Sequence, residues 1–323
     1  MTKPKIIVTR KWPAPVEKQL KALYDVQLNE TDIPFTADEL KIALQSADAL
    51  LPTVTDPITA DVLSVQKKRA KIIGNFGVGY NNIDIETAKR EGIIVTNTPH
   101  VLTDCTADIA MLLLLMSARR ASEGNRLVRS GQWKGWGPTY MVGHKVTGKT
   151  LGLIGFGRIA QAMAKKAHHG FGMKIICYAP HVPAPEILEE YQATYYAKVE
   201  DVLAEADFVS LHCPGGAATK HLLNEQRLKL MQPSAHLINT ARGDVVDSKA
   251  LIKALKERWI AGAGLDVYEG EPNIDPDFRS LANVALLPHL GSATEETREA
   301  MGNRVLANIA AFFAGQEPED RVV

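Results

Sequence analysis

Residues 150–160 read Thr-Leu-Gly-Leu-Ile-Gly-Phe-Gly-Arg-Ile-Ala. The first five residues of this stretch are predicted to form a strand, and the chain then turns through two glycines into a predicted helix. Gly155 permits the tight turn, Gly157 lets a pyrophosphate approach the backbone, and Ala160 allows the helix to pack closely on the strand. The helix start, with Arg158 available as a cation, favours bound phosphate. The context therefore predicts a dinucleotide-binding turn rather than a merely tight one.

Alternating strands and helices extend in both directions from this turn. Five more strands are predicted after it, at 174–178, 208–212, 236–239, 262–266 and 284–287. Before it, four short β-rich runs are predicted at 5–9, 47–51, 70–74 and 93–96. Helical patterns separate these runs at 15–24, 36–45, 58–66 and 85–91. This alternation predicts an α/β protein with two parallel sheets, the second of them doubly wound.

Two longer helical patterns complete the chain. The first covers 103–131, has an unusually continuous apolar centre, and is predicted to break near 118–122. Such a helix needs burial on most sides. It could lie within its own subunit, in the core or between domains, or it could lie at a subunit interface. The pattern leaves these two alternatives open. The last helix, 294–314, follows a possible capping box from Ser292 to Glu295.

Composition excludes several classes of function. A chain of 323 residues is expected to form two domains, and 37 basic against 37 acidic residues give no field to attract nucleic acid or an anionic membrane. The three cysteines show no disulfide or metal-site spacing. No apolar run reaches the length of a bilayer span or of a signal-peptide core. A cytoplasmic protein with a small-molecule partner is expected.

The choice of dinucleotide depends on the residues after the strand 174–178. A carboxylate that holds the adenine ribose is expected there in an NAD-specific site. The sequence instead has Ala179-Pro180-His181. No negative charge would repel the 2′-phosphate of NADP, and no arginine is present to bind it, although His181 offers a partial substitute. We expect use of NAD(P)H, with NADPH slightly favoured.

Three polar residues follow predicted strands of the second series, at the edge where open α/β sheets bind ligands. Arg242 offers a planar fork that can pair bidentately with a carboxylate. His289 suits proton donation to a carbonyl, and a nearby carboxylate such as that of Glu271 would keep the imidazole protonated. Each residue alone has an ordinary explanation as a loop or surface residue. Together they match the needs of 2-oxo acid reduction.

The chain resembles the D-isomer-specific 2-hydroxyacid dehydrogenases over essentially its whole length. The resemblance is greatest to their glyoxylate/hydroxypyruvate reductase branch. The motifs that carry the resemblance are Gly77-Val78-Gly79-Tyr80-Asn81-Asn82-Ile83-Asp84, the turn 155–160, Thr240-Ala241-Arg242-Gly243-Asp244, Gly264-Leu265-Asp266-Val267, Glu271-Pro272 and Pro288-His289-Leu290-Gly291-Ser292-Ala293. The departures are Ala160 for the more usual glycine and the absent acidic residue at Ala179.

The resemblance implies a role for each matching residue. Arg242 is expected to bind the substrate carboxylate and carbonyl, His289 to be the acid/base, and Glu271 to pair with His289, with Glu269 as the fallback. Amides of Val78 and Gly79 are expected to bind the substrate carboxylate. The expected cofactor contacts are Thr106, Gly155, Gly157, Arg158, Ile159, His181, Cys213, Pro214, Thr240, Ala241, Asp266 and Gly291. For Asp266, a purely turn-forming role is the alternative.

The resemblance also implies a discontinuous arrangement of two Rossmann-like or flavodoxin-like domains. Residues 1–99 and 290–323 are expected to form the substrate-binding domain, into which the NAD(P)-binding domain, 100–289, is inserted. Pocket selectivity is expected to depend on Leu51 and Phe76. A homodimer is expected, in which Trp136 reaches the active site of the partner subunit, whereas sequence alone favours packing of Trp136 on its own domain.

Three functions follow from these expectations. The first is reduction of glyoxylate or hydroxypyruvate to glycolate or D-glycerate. The second is a D-lactate or other D-2-hydroxyacid dehydrogenase. The third is a dinucleotide-sensing corepressor, in which the same fold serves only for binding.

Overall fold

The computed structural model describes residues 3–323, which form two compact units. Unit 1 comprises the residues up to Leu102 together with Ala293–Val323, and unit 2 is Thr103–Ser292. The sequence predicts the two domain boundaries after residues 99 and 289, whereas the structure places them after Leu102 and Ser292, three residues later in each case.

Unit 1 is a five-stranded parallel sheet with helices on both faces. Its strands are β1 (Lys5–Val8), β2 (Asp25–Gln27), β3 (Ala49–Leu51), β4 (Ile72–Gly74) and β5 (Ile94–Thr96). Its helices are α1 (Ala14–Leu23), α2 (Ala37–Ser46), α3 (Ala60–Leu63), α4 (Ile85–Arg90) and, from the end of the chain, α13 (Glu295–Phe313). The strand order β2-β1-β3-β4-β5 is that of a flavodoxin-like sheet.

Unit 2 is a seven-stranded parallel sheet. Its strands are β6 (Thr150–Ile154), β7 (Lys174–Tyr178), β8 (Ala193–Tyr196), β9 (Phe208–Leu211), β10 (His236–Asn239), β11 (Gly262–Leu265) and β12 (Val284–Leu286). Its helices are α5 (Thr103–Ala118), α6 (Ala121–Arg129), α7 (Arg158–Phe171), α8 (Pro185–Glu190), α9 (Val199–Glu205), α10 (Glu225–Leu228), α11 (Ser248–Lys256) and α12 (Asp277–Ser280), with a 3₁₀ turn at Gly243–Val245. The order β12-β11-β10-β9-β6-β7-β8 is that of a Rossmann sheet extended by one strand. The predicted α/β class and parallel sheets are confirmed.

Small residues let the helices lie directly on the strands. A side chain at Gly264 would come within 2.8 Å of Leu113, so α5 crosses β11 in close contact. In unit 1 a side chain at Gly74 would come within 2.7 Å of Val305 of α13. The inner strands are consequently buried on both faces, as parallel sheets require. Most of the apolar centre of α5 is buried within unit 2, whereas Leu112 is 43% exposed, and the subunit-interface alternative stays a prediction.

Two features differ from the predicted elements, and one prediction is confirmed. Strands β2 and β8 lie at sheet edges, are partly exposed, and were not predicted. The break in the long helix is confirmed: Arg120, with φ of +54°, separates α5 from α6. The predicted cap of α13 is wrong, because the side chain of Thr294, not Ser292, accepts the amide of Thr297 at 3.2 Å. Among residues 3–323, none of the helices combines the length and the apolar character that a membrane span requires.

Candidate active site

The glycine turn between β6 and α7 has the shape that a phosphate-binding turn needs. Gly155 has φ of +89°, and a side chain there would lie 2.8 Å from the backbone of His212. A side chain at Gly157 would meet no atom within 4 Å, so this residue faces open space. No side chain caps the start of α7. The first amides of the helix, including those of Arg158 and Ile159, are therefore available to an anion.

Several of the predicted cofactor contacts surround this edge of the sheet. Thr240, directly after β10, is buried, and its Oγ1 has no hydrogen-bond partner among residues 3–323, while Ala241 beside it is also buried. Thr106 donates to the Gly291 carbonyl at 2.9 Å. An unpaired buried hydroxyl is costly unless a ligand completes it. This atom of Thr240 therefore points to a missing polar partner.

Two predicted cofactor contacts lie farther out on the surface. His181, in the loop after β7, is exposed and makes no hydrogen bond within the described chain. Pro214 is exposed, whereas its neighbour Cys213 is half-buried. Burial raises the pKa of the Cys213 thiol to about 11, which makes it an unreactive group.

Asp266 fixes the loop after β12. Its two carboxylate oxygens accept the amides of Leu290 at 2.7 Å and of Gly291 at 2.8 Å. Its carbonyl accepts the amide of His289 at 3.0 Å. These bonds hold His289 at φ of +55°, a left-handed conformation that a non-glycine residue rarely adopts. The structure shows a turn-forming role for Asp266, and its expected contact with the cofactor stays a prediction.

His289 and Glu271 form a hydrogen-bonded pair. Nδ1 of His289 lies 2.7 Å from Oε2 of Glu271, and the other oxygen of Glu271 accepts the Tyr268 amide, also at 2.7 Å. Nε2 of His289 has no partner in the described chain. Burial opposes ionisation of Glu271, but the hydrogen bond from His289 and the charge of nearby Arg242 outweigh it and lower the pKa of Glu271. A carboxylate orients the ring and leaves one nitrogen free for proton transfer.

Arg242 is a partly buried cation without an ion-pair partner. Its guanidinium donates to the Ala241 carbonyl at 2.6 Å, and no carboxylate oxygen of the described residues lies within 4.0 Å of it. Burial lowers the pKa of Arg242, although Glu271 and Asp244 act in the opposite direction. A partly buried charge without an ion-pair partner raises the free energy of the folded state. The arrangement favours an anionic ligand.

The alternative acid, Glu269, is engaged elsewhere. Its Oε1 lies 2.6 Å from Nε2 of His221, and its Oε2 accepts the Ser248 amide at 3.0 Å. Sequence reasoning gave no role to His221, which is 48 residues from Glu269 and carries no spacing signal. Of the two acidic residues in this loop, the structure brings Glu271, not Glu269, to His289.

Unit 1 presents two free backbone amides after β4. The carbonyls of Val78 and Gly79 accept side-chain amides of Asn97 at 2.8 Å and Asn75 at 2.9 Å. Their own N–H groups donate to no other described residue. Such a pair of free donors suits a carboxylate.

Leu51 does not have the place expected of a pocket residue. It is 0% exposed and lies in a core cluster of unit 1 with Val305 and Ile309. Phe76 is also buried, 4% exposed, and packs against Trp12 with ring centroids 4.6 Å apart and the rings tilted by 49°. The side chain of Leu51 is a core residue, contrary to the prediction that it lines the substrate pocket.

Comparison with known proteins agrees with this geometry. Residues 111–291 match the family described as "D-isomer specific 2-hydroxyacid dehydrogenase, NAD binding domain". The chain is 49% identical to a glyoxylate reductase of Thermococcus litoralis over 99% of its length and 97% of that protein. It is 40% identical to a glycerate dehydrogenase of Hyphomicrobium methylovorum over 98% of both chains. The chain belongs to the D-isomer-specific 2-hydroxyacid dehydrogenase family.

A solved structure of this family supports the same conclusion. The NADPH-dependent glyoxylate/hydroxypyruvate reductase of Sinorhizobium meliloti, crystallised with NADP and malonate, has a TM-score of 0.88 and 32% identity, covering 100% of this chain and 97% of that one. The expected family and fold are thus confirmed. The chain is an NAD(P)-dependent oxidoreductase of hydroxy acids, which removes the corepressor alternative.

The residues of unit 2 fit the nicotinamide dinucleotide that this family uses. The free amides at Gly157 and at the start of α7 would hold the phosphates. The unpaired hydroxyl of Thr240 lies at the end of β10, among the strand ends where such cofactors bind.

Trp136 is the most exposed large apolar residue of the described chain. It is 85% exposed, and Trp133 nearby is 55% exposed. The expectation from sequence alone, that Trp136 packs on its own domain, is wrong. Most of the indole surface is exposed within the described chain.

Proposed function

We propose that this dehydrogenase reduces glyoxylate and hydroxypyruvate to glycolate and D-glycerate. The observation that carries the proposal is the unpaired, partly buried guanidinium of Arg242 together with the His289–Glu271 pair at the carboxyl edge of the same sheet. Arg242 offers an anchor for a carboxylate, and His289 offers a proton donor. The names of the Thermococcus, Hyphomicrobium and Sinorhizobium relatives support the choice of substrates.

Each residue takes one part in this reaction. The fork of Arg242 binds the substrate carboxylate and the carbonyl oxygen, and the free amides of Val78 and Gly79 bind the carboxylate. Nε2 of His289 donates a proton to that oxygen as it becomes a hydroxyl. Glu271 stabilises the imidazolium and fixes its orientation. The bound dihydronicotinamide supplies the hydride. Unit 1 then serves as the substrate-binding domain.

We propose that NADPH is used at least as well as NADH. The loop after β7, from Ala179 to Ala184, contains no acidic residue that would repel a 2′-phosphate. His181 in this loop is exposed and available to that phosphate. The NADPH dependence of the Sinorhizobium relative supports this preference.

We also propose that the protein is a homodimer in which Trp136 completes the partner's active site. The exposed indoles of the 131–140 segment support this proposal, since burial of such a large apolar surface is favourable. The partner's Trp136 would then limit the size of the substrate side chain.

Oxidation of NADPH and NADH, followed at 340 nm, tests the proposed function with a panel of 2-oxo acids. We expect turnover with glyoxylate and hydroxypyruvate and a lower kcat/KM with pyruvate. A preference for pyruvate would instead make this chain a D-lactate dehydrogenase. No oxidation with any of the three acids would refute the assignment.

A further inference from the structure

A second histidine–carboxylate pair lies beside the proposed catalytic one. His221 and Glu269 are joined at 2.6 Å, and only Gly270 separates Glu269 from Glu271. Each carboxylate of this loop therefore binds a histidine from a different segment. The turn after β10, residues 240–245, carries Arg242 and is called the Arg242 turn below. We propose that His221 and Glu269 are positioning residues that hold the Arg242 turn in place for the substrate carboxylate. This inference rests on the proposed role of Arg242.

The Arg242 turn lies directly on the backbone of the loop that contains Glu269 and Glu271. A side chain at Gly243 would overlap the carbonyl group of Tyr268 and the amide nitrogen of Glu269. The two backbones are thus in contact without an intervening side chain. Any displacement of Glu269 would move the turn that carries Arg242, because no flexible group lies between them.

Glu269 joins three segments of unit 2. Through its bond to His221, Glu269 reaches the loop after β9. The backbone amide of His221 in turn donates to the Asp244 carbonyl at 2.7 Å. Asp244 is two residues beyond Arg242. Through its second oxygen Glu269 accepts the amide of Ser248, the first residue of α11. A carboxylate at a helix start is stabilised by the helix dipole. The chain on the far side of the Arg242 turn is therefore held at both Asp244 and Ser248.

The charge state of the pair strengthens this attachment. Burial opposes ionisation of Glu269, but the hydrogen bonds from His221 and Ser248 outweigh it and lower its pKa. A hydrogen bond to a carboxylate is stronger than one between neutral groups. The attachment matters for Arg242 in particular, because no ion pair within the described chain fixes its guanidinium. Its position depends on the backbone of its turn.

Two variants that remove the His221–Glu269 interaction, and a third that keeps a hydrogen-bond donor at position 221, test the proposal. His221→Phe removes the donor but keeps a ring, Glu269→Gln removes the charge, and His221→Gln keeps an N–H for Glu269. Oxalate serves as the probe of the carboxylate site, measured by calorimetry with NADP⁺ bound. His169→Phe, in an exposed histidine of α7, and Glu225→Gln, in a surface ion pair, are the matched controls.

We expect His221→Phe and Glu269→Gln each to weaken oxalate binding and raise the KM for glyoxylate about ten-fold, the effect of losing one charge-assisted hydrogen bond. The Kd of NADPH should change less than about two-fold, and His221→Gln should restore most of the oxalate affinity. The controls should match the wild-type protein. A general loss of structure would instead weaken NADPH and oxalate alike and would not be rescued.

Unchanged oxalate affinity and KM in both folded variants would overturn the positioning role. If His221→Phe does not fold, Glu269→Gln decides the question by the same measurements. A wild-type protein that neither binds oxalate nor reduces glyoxylate would refute the proposed function, and the positioning role with it. An active wild type with unaffected variants refutes the positioning role alone.

Discussion

Replacement of Arg242 tests the proposed substrate anchor most directly. The guanidinium makes one hydrogen bond, to the Ala241 carbonyl, and no ion pair within the described chain, so its fork is free for the substrate. Two charge-assisted hydrogen bonds at roughly 1.5–2.5 kcal/mol each amount to about 3–5 kcal/mol. A loss of this size lowers kcat/KM for glyoxylate by about 10² to 10⁴ in Arg242→Ala.

The lysine variant separates charge from geometry. Lys keeps a positive charge but cannot form the planar fork, so Arg242→Lys should recover only part of the loss. Steady-state kinetics with glyoxylate measure the effect, and fluorescence titration of NADPH serves as the control, which we expect to stay within about two-fold of wild type.

The same structure predicts that Arg242→Ala does not destabilise the fold. Burial disfavours the charged guanidinium and lowers its pKa, and no partner within residues 3–323 offsets this with an ion pair. The free energy of unfolding in urea should therefore equal or exceed that of wild type. A folded Arg242→Ala protein that keeps kcat/KM within about ten-fold of wild type would refute the anchor role.

Four further outcomes are expected. His289→Gln should slow turnover by about 10² to 10⁴ in steady-state assays, since no proton donor remains. Glu271→Gln should move the upper pH limit of the reduction to lower pH, because the imidazolium loses the carboxylate that stabilises it; an unchanged profile would reject the pairing. Ala179→Asp should raise the KM for NADPH at least about ten-fold while that for NADH changes little, and equal changes would show that this position does not select the cofactor. Trp136→Ala should improve kcat/KM for larger 2-oxo acids relative to glyoxylate with NADPH binding intact, and a fully active monomer in light scattering would contradict the dimer.

The central strands and the glycine turn were predictable because they depend on local pattern. Buried parallel strands appear as short apolar runs. Position 155 needs a glycine because its φ is positive and a side chain there would come within 2.8 Å of the His212 backbone. The edge strands β2 and β8 were missed because partial exposure removes the apolar run that marks a buried strand.

The remaining differences depend on tertiary contacts that a local pattern does not contain. Ser292 and Thr294 are both acceptable helix caps, and only the observed path of the chain selects Thr294. Leu51 ends a strand near the ligand-binding edge, but its side chain points to the face covered by α13. His221 meets Glu269 across 48 residues, which no periodicity reveals.

The hydrogen bonds of Glu271 bear directly on the unpaired state of Arg242. A partly buried cation without a counter-ion favours local rearrangement that would bring water or a carboxylate to it. Glu271 and Asp244 are close enough to raise the pKa of Arg242, yet Glu271 is bound to His289 and the Tyr268 amide. The bonds that occupy Glu271 therefore keep it from pairing with Arg242, and the guanidinium stays available to the carboxylate of a substrate.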